Sequence, residues 1–355
     1  MGSLGQLRAA MTASVVLTLL VFLVFMVALA IVVEYFVALE LPLIWIFLVS
    51  TGLAGLFALI QYAIGPALVT MSTGLTYLKE GENPWLESTV RRLSEKSSLK
   101  MPRLATVNAR SPNAFVFGHG EGDATLTVHT GLLKELTEEE IEGVLAHELG
   151  HIKHRDFVVM TMLSAIPLMA YLVARLAFES TRYVRPSGSR KKGGAFAAIL
   201  VAGVVSIAVY YITQLLVLRL SRLREFYADA YSAYLTGTPH RLASALTKIA
   251  YGLSLVPPRK LGGVRAFLIS DPALAKSEVS AIVERKSRYD LDRDGVIDER
   301  ELELAMEEEA KSTWQKVNTA FSTHPPTYKR ILQLRQIGEE MEAGRYTSEG
   351  LYRHI

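Results

Sequence analysis

Cysteine is missing from all 355 positions, which removes disulfides and every thiolate metal site. It assigns no compartment. Any metal centre here must be built from His, Asp and Glu. A large net charge is missing too, since 38 Lys and Arg against 35 Asp and Glu leave +3. The densest basic stretch, residues 179–195, is an exposed-looking Arg, Lys, Gly and Ser loop suited at most to anionic lipid head groups. No nucleic-acid partner is expected.

Charge is also absent locally, in four blocks: residues 9–33, Leu41 to Leu78 with an apolar core ending near Gly65, Phe157 to Ala174, and Gly193 to Leu218. A span needs about 20 apolar residues. The first block is about twice the usual length of a signal-peptide apolar region and is read as a retained span. It pairs with the second as a hairpin, 1–65. The third and fourth, 157–218, are membrane helices or a hairpin that enters the membrane only partly, with the basic loop 179–195 between them. Lys79, Lys153, Arg155, Arg219, Arg222 and Arg224 flank the blocks on one side while the turn at Glu40 has no basic residue, so the face carrying the chemistry is expected to be cytoplasmic in a multi-pass cell-membrane protein. Arg182, Arg185, Arg190, Lys191 and Lys192 lie on the opposite side and run against that rule.

Between these blocks lies TEEEIEGVLAHELGHIKHRD, Thr137 to Asp156. Thr137 as N-cap, Glu140 closing a capping box and Leu136 with Ile141 as a staple start a helix. His147 and His151 are four apart and share its face, with Glu148 one step round. Such a match arises by chance in about one chain per hundred of this composition. Two imidazoles are too few for zinc, which takes three protein ligands in a hydrolytic site. The third is found in SRLREFYADAYSAYLTG, where Glu225 and Asp229 sit four apart among apolar neighbours. Glu225 completes Zn2+, and Asp229 takes the free N–H of a ligating histidine. An ion-pair network with Arg222 and Arg224 is the plainer alternative. The metal helix reads as running straight on into the third block, which places the site beside the bilayer.

Asn83 and Pro84 open an amphipathic helix to about Lys96. Short β-type runs follow at Leu104 to Asn108, Asn113 to Gly118 and Ala124 to His129, giving a small sheet beside the metal helix. His119 and His129 read as turn and strand residues, and His154 as part of a solvated face. Asn113, Ala114 and Phe115 form a strand after a turn, and a substrate could add to its edge.

Taken together, H-E-x-x-H, the later S-R-L-R-E with E-x-x-x-D, the spans before and between them, and S-T-H-P-P near residue 324 resemble the HtpX family of membrane-integrated zinc metallopeptidases, relatives of the CAAX prenyl protease. The resemblance runs from the first span to about Leu334. It implies Zn2+ on His147, His151 and Glu225, Glu148 as general base, a cytoplasmic active site, and endoproteolysis of misfolded or damaged membrane proteins as quality control. It also matches Asn113, Ala114 and Phe115 to the substrate-facing edge strand. His324 falls in S-T-H-P-P, and a contact to substrate or the oxyanion stands level with a rigid His-Pro-Pro turn.

One stretch departs from that family pattern. DLDRDGVIDERE fits an EF-hand loop, with Asp290, Asp292, Asp294, Val296 through its carbonyl, Asp298 and Glu301 as Ca2+ ligands and Gly295 at the sharp turn. Flanking helical patterns make 277–310 an EF-hand-like insertion. The whole is expected to be mostly α with a small β-sheet: membrane helices, a zincin-like metallopeptidase domain over 66–156 and 219–355, and the insertion. The rival function is a calcium-responsive membrane scaffold with an inert structural metal site, against which an intact Glu148 argues.

Overall fold

The computed structural model describes residues 4–37, 42–183, 190–254 and 322–345. The EF-hand-like loop, with Asp290, Asp292, Asp294, Val296, Asp298 and Glu301, lies outside the described residues, as does the 277–310 insertion. The chain divides into two compact units, one of Met1–Ala10, Gly65–Val158 and Ser221–Ile355, the other of Met11–Ile64 and Val159–Leu220.

The second unit is helical. It holds most of α1 (Leu4–Val37), α2 (Leu43–Thr73) and α6 (Asp156–Ser180), and the first part of α7 (Arg190–Thr236). Each of the four is long and apolar enough to cross a membrane. Leu163, Ile166, Val217 and Leu220 pack with Met11, Val15 and Phe22. Gln61, polar within an apolar helix, is satisfied by Thr161 O at 3.1 Å and Ser164 Oγ at 3.0 Å.

The first unit is built on a four-stranded mixed sheet, order β1-β2-β4-β3, of β1 (Thr76–Tyr77), β2 (Arg103–Val107), β3 (Ala114–Phe117) and β4 (Thr125–His129). Strands β2 and β4 run parallel, Arg103 opposite Thr125 through Val107 opposite His129, and β3 is antiparallel to β4. The three expected runs are thus strands. Strand β1 was not expected, because two residues carry no readable alternation. Helix α3 (Pro84–Lys96) starts where Asn83 Oδ1 accepts from Leu86 N at 3.1 Å, and buries Leu86, Val90 and Leu93. The short α4 (Thr130–Glu135) crosses so close to residue 110 that a Cβ on Gly131 would lie 2.1 Å from the Arg110 carbonyl oxygen.

Helix α5 (Glu138–Lys153) begins in the capping box its sequence specifies, Thr137 Oγ1 accepting from Glu140 N and Glu140 Oε2 from Thr137 N. It is buried on nearly every side. Gly143 allows α8 (Pro239–Ser254) to approach, a Cβ there falling 3.1 Å from Leu242 N, and Gly150 does the same for α7 at Ala228 and Tyr231. Ser232 Oγ donates to Gly143 O at 2.7 Å. A further helix, α9 (Thr327–Glu342), packs on α8.

Two expectations need correction. Helix α5 does not run on into α6: it stops at Lys153, and Arg155 takes φ +55° before α6 begins at Asp156. His154 is half-buried rather than on a solvated face, its ring 4.2 Å from that of Tyr227 and 5.3 Å from that of Tyr231. Burial there lowers its pKa to about 4. On α7, moreover, the fourth apolar block and SRLREFYAD form one unbroken helix.

Candidate metal centre

His147 and Glu148 come from the buried centre of α5, His151 from its last turn, and Glu225 and Asp229 from adjacent turns of α7. One ligand atom from each of His147, His151 and Glu225 lies within 4.8 Å of the others. The two Nε2 atoms are 3.1 Å apart. Glu225 faces both, Oε2 3.6 Å from His147 Nε2 and Oε1 3.6 Å from His151 Nε2. Atoms bound about 2.0–2.2 Å from one tetrahedral ion lie roughly 3.3–3.6 Å from each other. Both distances to Glu225 fall at the upper end of that range and the histidine pair lies just below it, so the donor set and its spacing fit zinc.

Charge favours a cation. Burial alone would depress the His151 pKa, but the hydrogen-bonded Asp156 carboxylate, with Glu225 and Glu148, outweighs it and raises the value to about 9. His147 goes the other way, lowered chiefly by complete burial. Glu148, next to His147 on the same helix, is almost inaccessible to solvent. Burial pushes its carboxyl up to about 7.

Each ring is held from behind. Asp229 Oδ1 lies 2.9 Å from His147 Nδ1, as the sequence anticipates, and Asp156 Oδ2 lies 2.6 Å from His151 Nδ1. Arg224 is bonded to Asp156 and not to the acidic residues of its own helix, while Arg222 donates to Ser322 O at 2.8 Å. The base facing Glu225 and Asp229 is instead Arg330 of α9. It makes a fork to Asp229, Nε–Oδ2 2.8 Å and Nη2–Oδ1 2.7 Å, and its Nη1 is 3.3 Å from Glu225. His324 turns its ring inward, Nδ1 3.2 Å from Glu225 Oε2. Asn113, Ala114 and Phe115 are buried at the start of β3, whose outer edge has no strand partner among the described residues. Helix α5 packs against this strand. His119 caps its own turn through Asp123, and His129 faces Ser111 O, so both are the turn and strand residues expected.

Asp156 and Arg330 escaped the sequence reading. The first lies five residues past His151, a spacing at which one helix faces opposite ways. The second had only a weak signal, its place six residues beyond His324.

A helix carrying His-Glu-x-x-His, met by a glutamate from a second helix and packed on an edge strand of a small sheet, defines the class of metal-dependent peptidases. Within that class, the chain belongs to peptidase family M48, whose model matches residues 80–338. Protease HtpX homolog 2 of Methanosarcina acetivorans is 36% identical over 290 residues, 81% of this chain and 84% of its own. The Protease HtpX homolog of Methanothermobacter thermautotrophicus is 38% identical over 197 residues, 56% of this chain and 71% of its own. The crystal structure of S. mikatae Ste24p is similar over 65% of this chain and 57% of that one, at 20% identity and a TM-score of 0.40. The likeness read from the motifs is thus one of descent, and the chain is a metallopeptidase.

Proposed function

We propose that this metallopeptidase is a membrane-integrated zinc endopeptidase that cuts misfolded or damaged membrane proteins, with its active site on the cytoplasmic side. The observation that carries the reading is the convergence of His147, His151 and Glu225, with Glu148 buried next to His147 on the same helix. Those three residues hold the metal, and zinc bound there supplies a Lewis acid that polarises a carbonyl and acidifies water. Glu148 accepts the proton of the attacking water and returns it to the leaving amine. The open edge of β3, starting at Asn113, Ala114 and Phe115, receives the substrate as an added strand, main-chain hydrogen bonds fixing its register. His324 lies against Glu225, which favours a donor to substrate or the developing oxyanion over a passive turn, and Pro325 with Pro326 shape its approach. Four apolar helices support a substrate class presented at a bilayer. The 290–301 loop binds Ca2+ on this reading, on the strength of its ligand spacing.

The test is metal analysis with casein digestion by the purified chain and by Glu148→Gln. The reading expects one zinc in both and cleavage by the native chain alone. Equal cleavage by the two rules out Glu148 as base, and zinc without cleavage in either supports the inert scaffold instead. Calcium is tested separately: heat of binding and a melting shift that Asp290→Ala removes are expected, and their absence removes Ca2+ from the account.

A further inference from the structure

The two histidines of α5 are held by the same three-part arrangement, and only one copy of it follows from E-x-x-x-D. His147 Nδ1 meets Asp229, which Arg330 holds; His151 Nδ1 meets Asp156, which Arg224 holds. All four of these carboxylate and guanidinium side chains are buried. In both copies Nδ1 is turned to the carboxylate, and the two Nε2 atoms are left facing each other and Glu225.

The second copy requires a local distortion. Residues five apart on a continuous helix are rotated by about 140°, so Asp156 would point away from His151 had α5 continued. The chain instead breaks at His154 and Arg155, and Arg155, an exposed non-glycine residue, takes φ +55°. That conformation disfavours L-residues and persists where surroundings enforce it. Arg224 does the enforcing from α7, one Nη2 donating both to His154 O at 2.8 Å and to the Asp156 carboxylate. An aspartate at the start of α6 is expected on helix-dipole grounds alone. A 2.6 Å contact from it back to His151 Nδ1 is not.

We propose that Asp156, clamped by Arg224, is a positioning residue for the metal. It fixes the tautomer of His151 with the proton on Nδ1, so that Nε2 keeps its lone pair for the ion, and the Arg155 turn serves that placement. The carboxylate also makes the imidazole a stronger donor, and partners of this kind typically alter metal affinity by about 10- to 100-fold. The inference rests on His147, His151 and Glu225 being the metal ligands.

Zinc affinity of the full chain in detergent, measured by competition with a chromophoric chelator, tests it without reference to turnover. Asp156→Asn is expected to bind zinc about 10- to 100-fold more weakly. Arg224→Lys, which keeps the charge on a shorter side chain that no longer reaches both His154 O and Asp156 as Nη2 does, is expected to lose less, about three- to tenfold. Arg155→Gly relieves the left-handed turn while leaving Asp156 in place, and should match the native affinity. Melting of each zinc-free variant separates folding from metal positioning. If Asp156→Asn melts lower yet binds zinc within twofold of native, the residue is only structural and the proposal fails. If Asp156→Asn does not fold, Arg224→Lys decides, and native zinc affinity in it overturns the proposal. A native chain that binds no zinc overturns the metal reading along with this one, whereas a zinc-binding native chain matched by Asp156→Asn overturns this one alone.

Discussion

Helix α2 turns Trp45, Leu48, Val49, Leu53, Leu56 and Leu59 outward, while α5, half its length, buries Glu140, His147 and Glu148. Both depart from the usual pattern of apolar side chains inside and charged ones outside. The difference shows that the two helices face different surroundings. Around α2 exposed apolar surface costs nothing if the medium is hydrocarbon, and its one glutamine finds partners on a neighbouring helix. On α5 His147, His151 and Glu140 each meet a polar partner, and Glu140 serves Thr137 N, Ser244 and Lys248 at once. What α5 conceals at this cost is its chemistry, and what α2 displays is its solvent.

The sharpest way to test that division is to take charge out of α5 and put it into α2. Glu148→Gln is expected to lower cleavage about 10²- to 10⁴-fold, roughly 3–5 kcal/mol in the barrier. Its melting temperature should hold or rise, because an amide is easier to bury than a carboxylate. A variant that loses activity only by unfolding would make Glu148 part of the scaffold. Leu59→Lys places a charge near the middle of the Phe47–Thr73 span. It should cost about 2.5–3.5 kcal/mol of insertion, read as the fraction recovered in membranes. Unchanged recovery would mean that α2 does not face lipid.

The same glycine change separates the regions again, at smaller amplitude. At Gly150 a Cβ comes 3.3 Å from Ala228 Cα and the Tyr231 ring, whereas at Gly55 nothing lies within 4 Å. Gly150→Leu should therefore destabilise by about 1–3 kcal/mol and pull α7, with Glu225, off the site. Gly55→Leu should leave both melting temperature and zinc content unchanged. Similar losses in the two variants would show that α2 is packed by a partner of its own.

These contrasts also explain how much could be read from the sequence. Spacing on a single helix is legible, so His147, Glu148, His151 and the Thr137 cap were found, and charge embedded among apolar residues exposed Glu225 and Asp229. The three main strands were legible as β-type runs with Gly-rich turns. Asp156 was not, since its contact depends on a left-handed Arg155, and nothing in His-Arg-Asp signals a φ that glycine would normally supply. Arg330 was not, because its partner Asp229 stands 101 residues away and local patterns do not encode such pairs. The continuity of α7 was hidden by its composition, which changes from membrane-like to catalytic near Arg219 without a helix-breaking residue.

The smallest effect expected falls at the entrance to α5. Thr137→Ala removes the acceptor for Glu140 N at 3.3 Å and leaves Glu140 Oε2 still bound to Thr137 N at 2.8 Å, so half of the capping box survives. A loss of about 1 kcal/mol is the ordinary cost of a missing N-cap side chain. Lys248 and Ser244 hold Glu140 from α8 at 2.6 and 2.5 Å, so the first turn stays anchored and the loss should not grow beyond that figure. His147 begins more than two turns further on, and zinc affinity should not change. Denaturant melts of the zinc-free chain would read the first expectation and chelator competition the second. A zinc affinity that fell with the cap would mean that α5 is positioned from its N-terminus, and not by the clamps on His147 and His151.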